Sequence, residues 1–149
     1  LWTPMHAEES ALWSLDRKDG MEKAYCCFNS NARDFARFGQ LLLNNGQWDG
    51  QQLISPAYLA EATSPDTRLV YKDLGKPNHC YGFQYWILDY KGMKIPYMRG
   101  ILGQYVFTLP EKNAVIVRLG HKRSDTYTAD QHYPDDINTW LDAAMDLLQ

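Results

Sequence analysis

The groups in this chain that could do chemistry are three cysteines, four histidines, six serines and one strand-like run broken by glycine. That run is Arg99-Gly100-Ile101-Leu102-Gly103-Gln104. Glycine inside a strand pattern marks a bulge, or a point where a second backbone or a ligand comes close. Without a Cβ, Gly100 would let a substrate carbonyl approach the strand edge. Cys26, Cys27 and Cys80 form an odd set with two neighbours adjacent in sequence. Adjacent cysteines rarely meet disulfide geometry, so free, buried or half-buried thiols are expected, with a cysteine nucleophile as the alternative. His6, His79, His121 and His132 lie far apart, and neither His-x-x-x-His nor Cys-x-x-Cys spacing occurs. No metal site is therefore expected. The glycines match neither Gly-x-Gly-x-x-Gly nor the P-loop, so no nucleotide cofactor is expected either. Asp125, Asp130, Asp135 and Asp136 lack the EF-hand pattern and read as a solvated loop and helix start.

The elements that must position the glycine-broken run are strands. Residues 81–89, 93–98, 104–109 and 114–119 are apolar, aromatic and β-branched runs. Lys91-Gly92 and Pro110-Glu111-Lys112-Asn113 punctuate them as turns. Four successive strands with short turns imply an antiparallel sheet. Upstream, residues 30–45 read as a helix, with Ser30 as cap, Asp34 in the first turn and an apolar stripe of Phe35, Phe38, Leu41 and Leu42. Asn45-Gly46 stops it. Residues 46–50 make a tight polar turn. Ser55-Pro56 begins a second short helix that buries Leu59 and Ala62 and ends near Ser64-Pro65. Residues 66–79 and 121–134 read as loops, and residues 1–13 as a helix end followed by a loop. Residues 135–149 make a last helix, capped by Asp135 or Asp136, with Ile137, Trp140, Leu141, Ala144, Met145 and Leu148 on the face that packs on the sheet. Helices, then strands, then a helix argue an α+β fold in one domain over residues 1–149: a mainly helical and loop part over 1–79, and strands with the terminal helix over 80–149.

Composition bounds the function classes. The chain has 149 residues, 45% of them apolar and 22% charged, with a net charge of −3. The longest basic run is Lys122-Arg123, which gives no electrostatic case for nucleic acid. No apolar stretch approaches the ~20 residues a spanning helix needs. The opening Leu-Trp-Thr-Pro-Met lacks the charged start and apolar core of a signal peptide and reads as the middle of something longer.

The run from Tyr97 to Gln104, then Leu109-Pro110-Glu111-Lys112-Asn113 and the apolar residues 114–119, resembles the carboxy-terminal part of the serine β-lactamase-like superfamily. That group holds class C β-lactamases, DD-peptidases, related esterases and 6-aminohexanoate-dimer hydrolases, and the Gly-Ile-x-Gly-Gln form is most like the last. The resemblance continues through Trp2-Thr3-Pro4-Met5, Ser14-Leu15-Asp16, the run from Asn31 to Gly39, residues 46–56 and the run from Tyr81 to Trp86. It implies a partial β-lactamase/transpeptidase-like fold, an antiparallel sheet with the C-terminal helix packed on it plus part of the helical subdomain.

The resemblance also implies a site. Met98-Arg99-Gly100 stands where the superfamily carries Lys/His-Thr-Gly on the strand lining its active site. The residue after that glycine, here Ile101, would donate its backbone N–H to the oxyanion. Met98 cannot bind a carboxylate; Arg99 could, unless strand alternation turns it away from the cleft. β-Lactams are thus poor candidate substrates. Tyr81 and Trp86 would face substrate, and Tyr25 and Cys26 precede the first helix where the superfamily has a substrate-touching loop. Packing roles are the plainer reading for these aromatics.

The superfamily's reaction needs a serine with a lysine three residues on, and a tyrosine of a Tyr-x-Asn or Tyr-x-Ser motif. Neither pattern occurs in this sequence. The resemblance implies a parent serine hydrolase cleaving a small-molecule amide or ester through an acyl-enzyme. The missing N-terminal half of the same fold would be its structural partner, and this chain alone would be inactive. By resemblance the location is periplasmic or secreted. The alternative is a free-standing binding or accessory domain, self-associating through an open sheet edge into a homo-oligomer.

Overall fold

The computed structural model describes residues 1–72 and 75–148; Asp73 and Leu74 of the expected 66–79 loop and Gln149 of the expected last helix lie outside the described residues. In chain order the elements are β1 (Leu12–Trp13), β2 (Phe28–Asn29), α1 (Ala32–Leu43), β3 (Gln47–Trp48), β4 (Gln51–Gln52), α2 (Pro56–Ala62), β5 (Val70–Tyr71), β6 (Lys76–Pro77), β7 (Trp86–Tyr90), β8 (Met93–Gly100), β9 (Gln104–Leu109), β10 (Ala114–Arg118) and α3 (Asp136–Leu147).

Turn chemistry sets the sheet. Lys91 and Gly92 both take positive φ (52° and 88°), which closes β7 onto β8 with a two-residue loop. Pro110–Lys112 forms a 3-10 turn, and Asn113 supplies the left-handed residue that turns the chain into β10. The result is a four-stranded antiparallel sheet in the order β10-β9-β8-β7. Its register pairs Tyr97 with Phe107 and Gly100 with Gln104. Among the described residues, the other six strands pair as three two-stranded antiparallel ladders. One of them, β5–β6, corrects the expectation of an irregular loop over residues 66–79.

Strand alternation sorts the two faces. Ile95, Tyr97, Phe107 and Leu109 point to one face and are closed over by Ile137 and Leu141 of α3. The Tyr90 hydroxyl and Lys91 Nζ both donate to Asp142, pinning α3 to the β7–β8 turn. Val106 and Val115 point to the other face, where α1 packs. A Cβ on Gly39 of α1 would come within 2.5 Å of Val115 Cγ1, so a glycine is what lets the helix lie this close. Only part of the expected α3 face is buried: Trp140 is 42% exposed, and the Arg118 guanidinium lies over its ring at 4.7 Å. The outer edge of β7 is covered at Asp89, whose backbone N–H and carbonyl pair with the side-chain amide of Gln131.

The cap of α1 is Asn31 rather than Ser30. Asn31 Oδ1 accepts from the Asp34 N–H at 2.9 Å, while its Nδ2 donates to Asp34 Oδ2 at 2.7 Å. Asp34 is fully buried. Its carboxylate also accepts the N–H groups of Glu8 (2.8 Å) and Glu9 (3.1 Å) and faces Arg37 Nε at 3.2 Å. The N-terminal segment is thereby tied to α1. Burial alone would raise the Asp34 pKa, but the two backbone donors, Asn31 and Arg37 outweigh it and hold the carboxyl below its ordinary 3.8. Since the folded-state pKa is the lower one, the unfolded chain takes up this proton first as pH falls. The stabilisation is complete above about pH 4 and is lost as pH drops through the folded pKa. In thermal melts, Asp34→Asn lowers Tm at neutral pH, and the gap from wild type narrows below about pH 4. A gap constant down to pH 2.5 (about 1.5 units below the ordinary carboxyl value) would exclude this role.

Candidate active-site cleft

β8 ends at Gly100 and β9 begins at Gln104, so Ile101, Leu102 and Gly103 form the connecting turn. Gly100 and Gly103 therefore bracket a hairpin loop rather than a bulge within one strand. Leu102 and Gly103 take positive φ (60° and 82°). At Gly103 a Cβ would lie 1.7 Å from Arg118 Nη1 and 3.0 Å from the Lys122 carbonyl, so glycine is required there twice over. The turn is held from the side. Arg118 donates from Nη1 to the Gly103 carbonyl (2.6 Å) and from Nη2 to the Lys122 carbonyl (2.7 Å). The Gln104 amide donates to the Gly120 carbonyl and accepts the Gly120 N–H. Ile101 sits at the tip, 77% exposed. Among the described residues, no turn or loop hydrogen bond uses its N–H.

This turn borders a cleft of about 810 Å³. One side is the end of β8 with Met98, Arg99 and Gly100; another is Tyr81 and Trp86; a third is the segment before α1, with Tyr25 and Cys26. With Ile101, the structure brings all eight sequence-nominated residues around one space. Residues the sequence reading passed over also line it, notably Phe28, Gln84 and Gln104. Gln84 takes a left-handed φ of 64°, two residues after Gly82, where a Cβ would lie 2.1 Å from the Ala62 carbonyl. The Tyr81 hydroxyl donates to Gln84 Oε1 at 3.3 Å, and the Tyr81 and Trp86 rings pack with centroids 4.7 Å apart. Burial pushes the Tyr81 phenol up, with nearby Arg99 opposing, so it is a neutral hydroxyl at physiological pH.

Arg99 is the one charged side chain among the described lining residues. Its guanidinium stacks on Trp86, 3.3 Å from the ring centroid, and Nη1 donates to the His132 carbonyl at 2.9 Å. Alternation places it on the Tyr97 face, yet it still borders the cleft. It thus ties β8 to the 121–134 loop while leaving a positive charge at the wall. Arg99→Ala removes both contacts and is expected to cost about 2 kcal/mol of stability, with Arg99→Lys recovering only part. Urea unfolding would reveal this as a lower midpoint at constant slope; an unmoved midpoint would show the contacts to be idle.

The cysteines correct the sequence reading. Cys26 and Cys27 are joined as a disulfide, leaving Cys80 as the free thiol, and it is buried. The bond spans a Cα–Cα separation of only 3.8 Å, and Cys27 within it takes a left-handed φ of 72°. Burial also pushes the Cys80 thiol up, which makes it a poor nucleophile. Among the described residues no cluster of three or more His, Cys, Asp or Glu could hold a metal ion, and no helix is long and apolar enough to cross a membrane.

No family model matches this sequence. Over 123 residues, 80% of the chain, it is 27% identical to the 6-aminohexanoate-dimer hydrolase of Paenarthrobacter ureafaciens and covers 31% of that protein. Its fold is similar to that of a putative 6-aminohexanoate-dimer hydrolase from Bacillus anthracis, with a TM-score of 0.70 and 26% identity over 95% of this chain and 34% of that one. The chain spans about a third of the length of these relatives.

Proposed function

We propose that this chain, similar to two 6-aminohexanoate-dimer hydrolases, forms one wall of the active site of a serine hydrolase of the β-lactamase-like kind that cleaves an amide or ester through an acyl-enzyme. The observation that carries this reading is the convergence of the eight nominated residues on one cleft, with Ile101 exposed among them. In this reading a serine outside these residues attacks the substrate carbonyl. Charge builds on the carbonyl oxygen, and the Ile101 N–H, fixed by the Arg118 and Gln104 clamps, stabilises it without reorganising. Gly100 lets the acyl group lie against the end of β8. Met98, Trp86 and Phe28 supply an apolar wall, which suits an uncharged, apolar portion of the substrate. Arg99 favours a neutral or anionic substrate over a cationic one. The outer edge of β10 carries no further strand among the described residues and is where the rest of the fold would add.

By itself this chain supplies no Ser-x-x-Lys, and it should not acylate. Treated with a fluorophosphonate probe and read by intact mass, the 149-residue chain is expected to stay unmodified. The same chain joined to the remainder of such a fold should gain one adduct, on a serine outside these residues. A stoichiometric adduct on one of the serines here would overturn the reading.

A further inference from the structure

We propose that Cys26 and Cys27 are a modification site within the cleft: a vicinal disulfide that a small dithiol reductant opens, releasing the wall segment that carries Tyr25 and Phe28. The inference rests on the geometry of the cleft, not on the hydrolase reading. The two bonded residues are sequence neighbours, so the ring encloses a single peptide bond. A cross-link stabilises a fold by shrinking the unfolded ensemble, and closing so short a loop removes almost none of it. This disulfide is therefore not a global staple. Its effect is local, on the backbone around Cys27, which stands at φ 72° within the ring.

That backbone is a junction. The Cys27 carbonyl accepts the Ser14 N–H at 3.0 Å and Asn29 Nδ2 at 3.1 Å, and the Cys26 carbonyl accepts Trp13 Nε1 at 3.2 Å. The pair thus fixes how β1 meets β2, and how Tyr25 and Phe28 stand on either side of it in the cleft. Cys27 is exposed and Cys26 half-buried, so a reductant can reach the sulfurs from the cleft. Cys80 is 1% exposed and cannot serve as an exchange partner for incoming reagents.

The step balances as ordinary thiol–disulfide exchange. One thiolate of the reductant attacks one sulfur, forming a mixed disulfide, and the other cysteine leaves as a thiolate that takes up a proton. The second thiol of the reductant then displaces the first cysteine, which is protonated in turn. Two electrons pass to the protein, and the reductant closes to a cyclic disulfide. With the ring gone, Cys27 is free to leave the left-handed region, and the bonds to its carbonyl loosen.

The test combines alkylation with hydrogen exchange on the native chain. Iodoacetamide alone should label none of the cysteines, while prior treatment with dithiothreitol should yield carbamidomethyl groups on Cys26 and Cys27 and none on Cys80. On reduction, amide exchange at Ser14 and over residues 26–29 should rise by about tenfold or more, with the slowest sheet amides unmoved. The Cys26→Ser/Cys27→Ser double variant should exchange at the fast rate with or without reductant. Labelling of Cys26 and Cys27 before reduction would overturn the proposal, and so would unchanged exchange after it. A cooperative loss of the whole fold on reduction would also overturn it, because the claim is of a local release.

Discussion

In the hydrolase proposed above, replacing Ile101 by proline is expected to lower kcat/KM by about 10²–10³-fold, the usual cost of removing one oxyanion donor. Proline deletes the N–H and little else. Gly100, the residue before it, is already in extended strand conformation, as a residue preceding proline should be. No turn or loop bond among the described residues needs the lost donor, and Ile101 is 77% exposed, so packing hardly changes. Ile101→Ala keeps the N–H and should keep the rate, which separates the backbone from the side chain. The loss should fall on kcat more than on KM, because the developing oxyanion exists only on the way to the tetrahedral intermediate. A proline variant that melts like wild type and turns over at the wild-type rate would remove Ile101 from the mechanism, leaving Gly100 and the cleft wall as a binding surface alone.

Phe107→Ala should cost about 3–5 kcal/mol, enough to threaten the fold of a domain whose total stability is of order 5–15 kcal/mol. Phe107 has no exposed surface. Its ring stacks on Tyr97 at 5.3 Å and packs against Tyr105 at 5.4 Å, in the layer that Ile137 and Leu141 of α3 close over. Truncation leaves a void that these rigid rings cannot collapse into. The large value comes from that cavity added to the lost transfer energy. Phe107→Leu, which refills much of the volume, should recover more than half of the loss. Urea unfolding at constant slope measures both variants. If Phe107→Ala costs less than about 1 kcal/mol, the sheet and α3 do not share one core.

Much of this molecule is local chemistry. The succession of strands was legible because alternation and turn residues act over a few positions. Lys91-Gly92 and Pro110 to Asn113 can close only hairpins, and the runs between them can bury only one face at a time. Ser55-Pro56 specified the start of α2 for the same reason, and Ser55 Oγ does accept the Tyr58 N–H at 3.1 Å. Where local rules competed, sequence reading chose wrongly. Ser30 and Asn31 are both good caps, and Asn31 prevailed because its amide can also donate to Asp34, whose ties to Glu8 and Glu9 are tertiary. The glycines at 100 and 103 were visible as a special place. They fall between two predicted strands; what the sequence could not show is that Arg118, arriving from β10, clamps the turn there.

By itself, then, the sequence determined the α+β order of elements, the main-sheet hairpins that close at Lys91-Gly92 and from Pro110 to Asn113, the capped α2 and the likeness to a 6-aminohexanoate-dimer hydrolase, since each is written in neighbouring residues. Only the tertiary structure decided that Tyr25, Cys26, Tyr81 and Trp86 share a cleft with Ile101, that Arg99 is committed to Trp86 and the His132 carbonyl, and that Cys26 bonds to Cys27. Those outcomes depend on strand register and on how the segment before α1 lies against the sheet. A one-residue slip would turn every side chain of a strand to its other face. No pattern of neighbours encodes that choice. It is set by which arrangement buries Tyr97 and Phe107 under α3 while seating Gly39 against Val115.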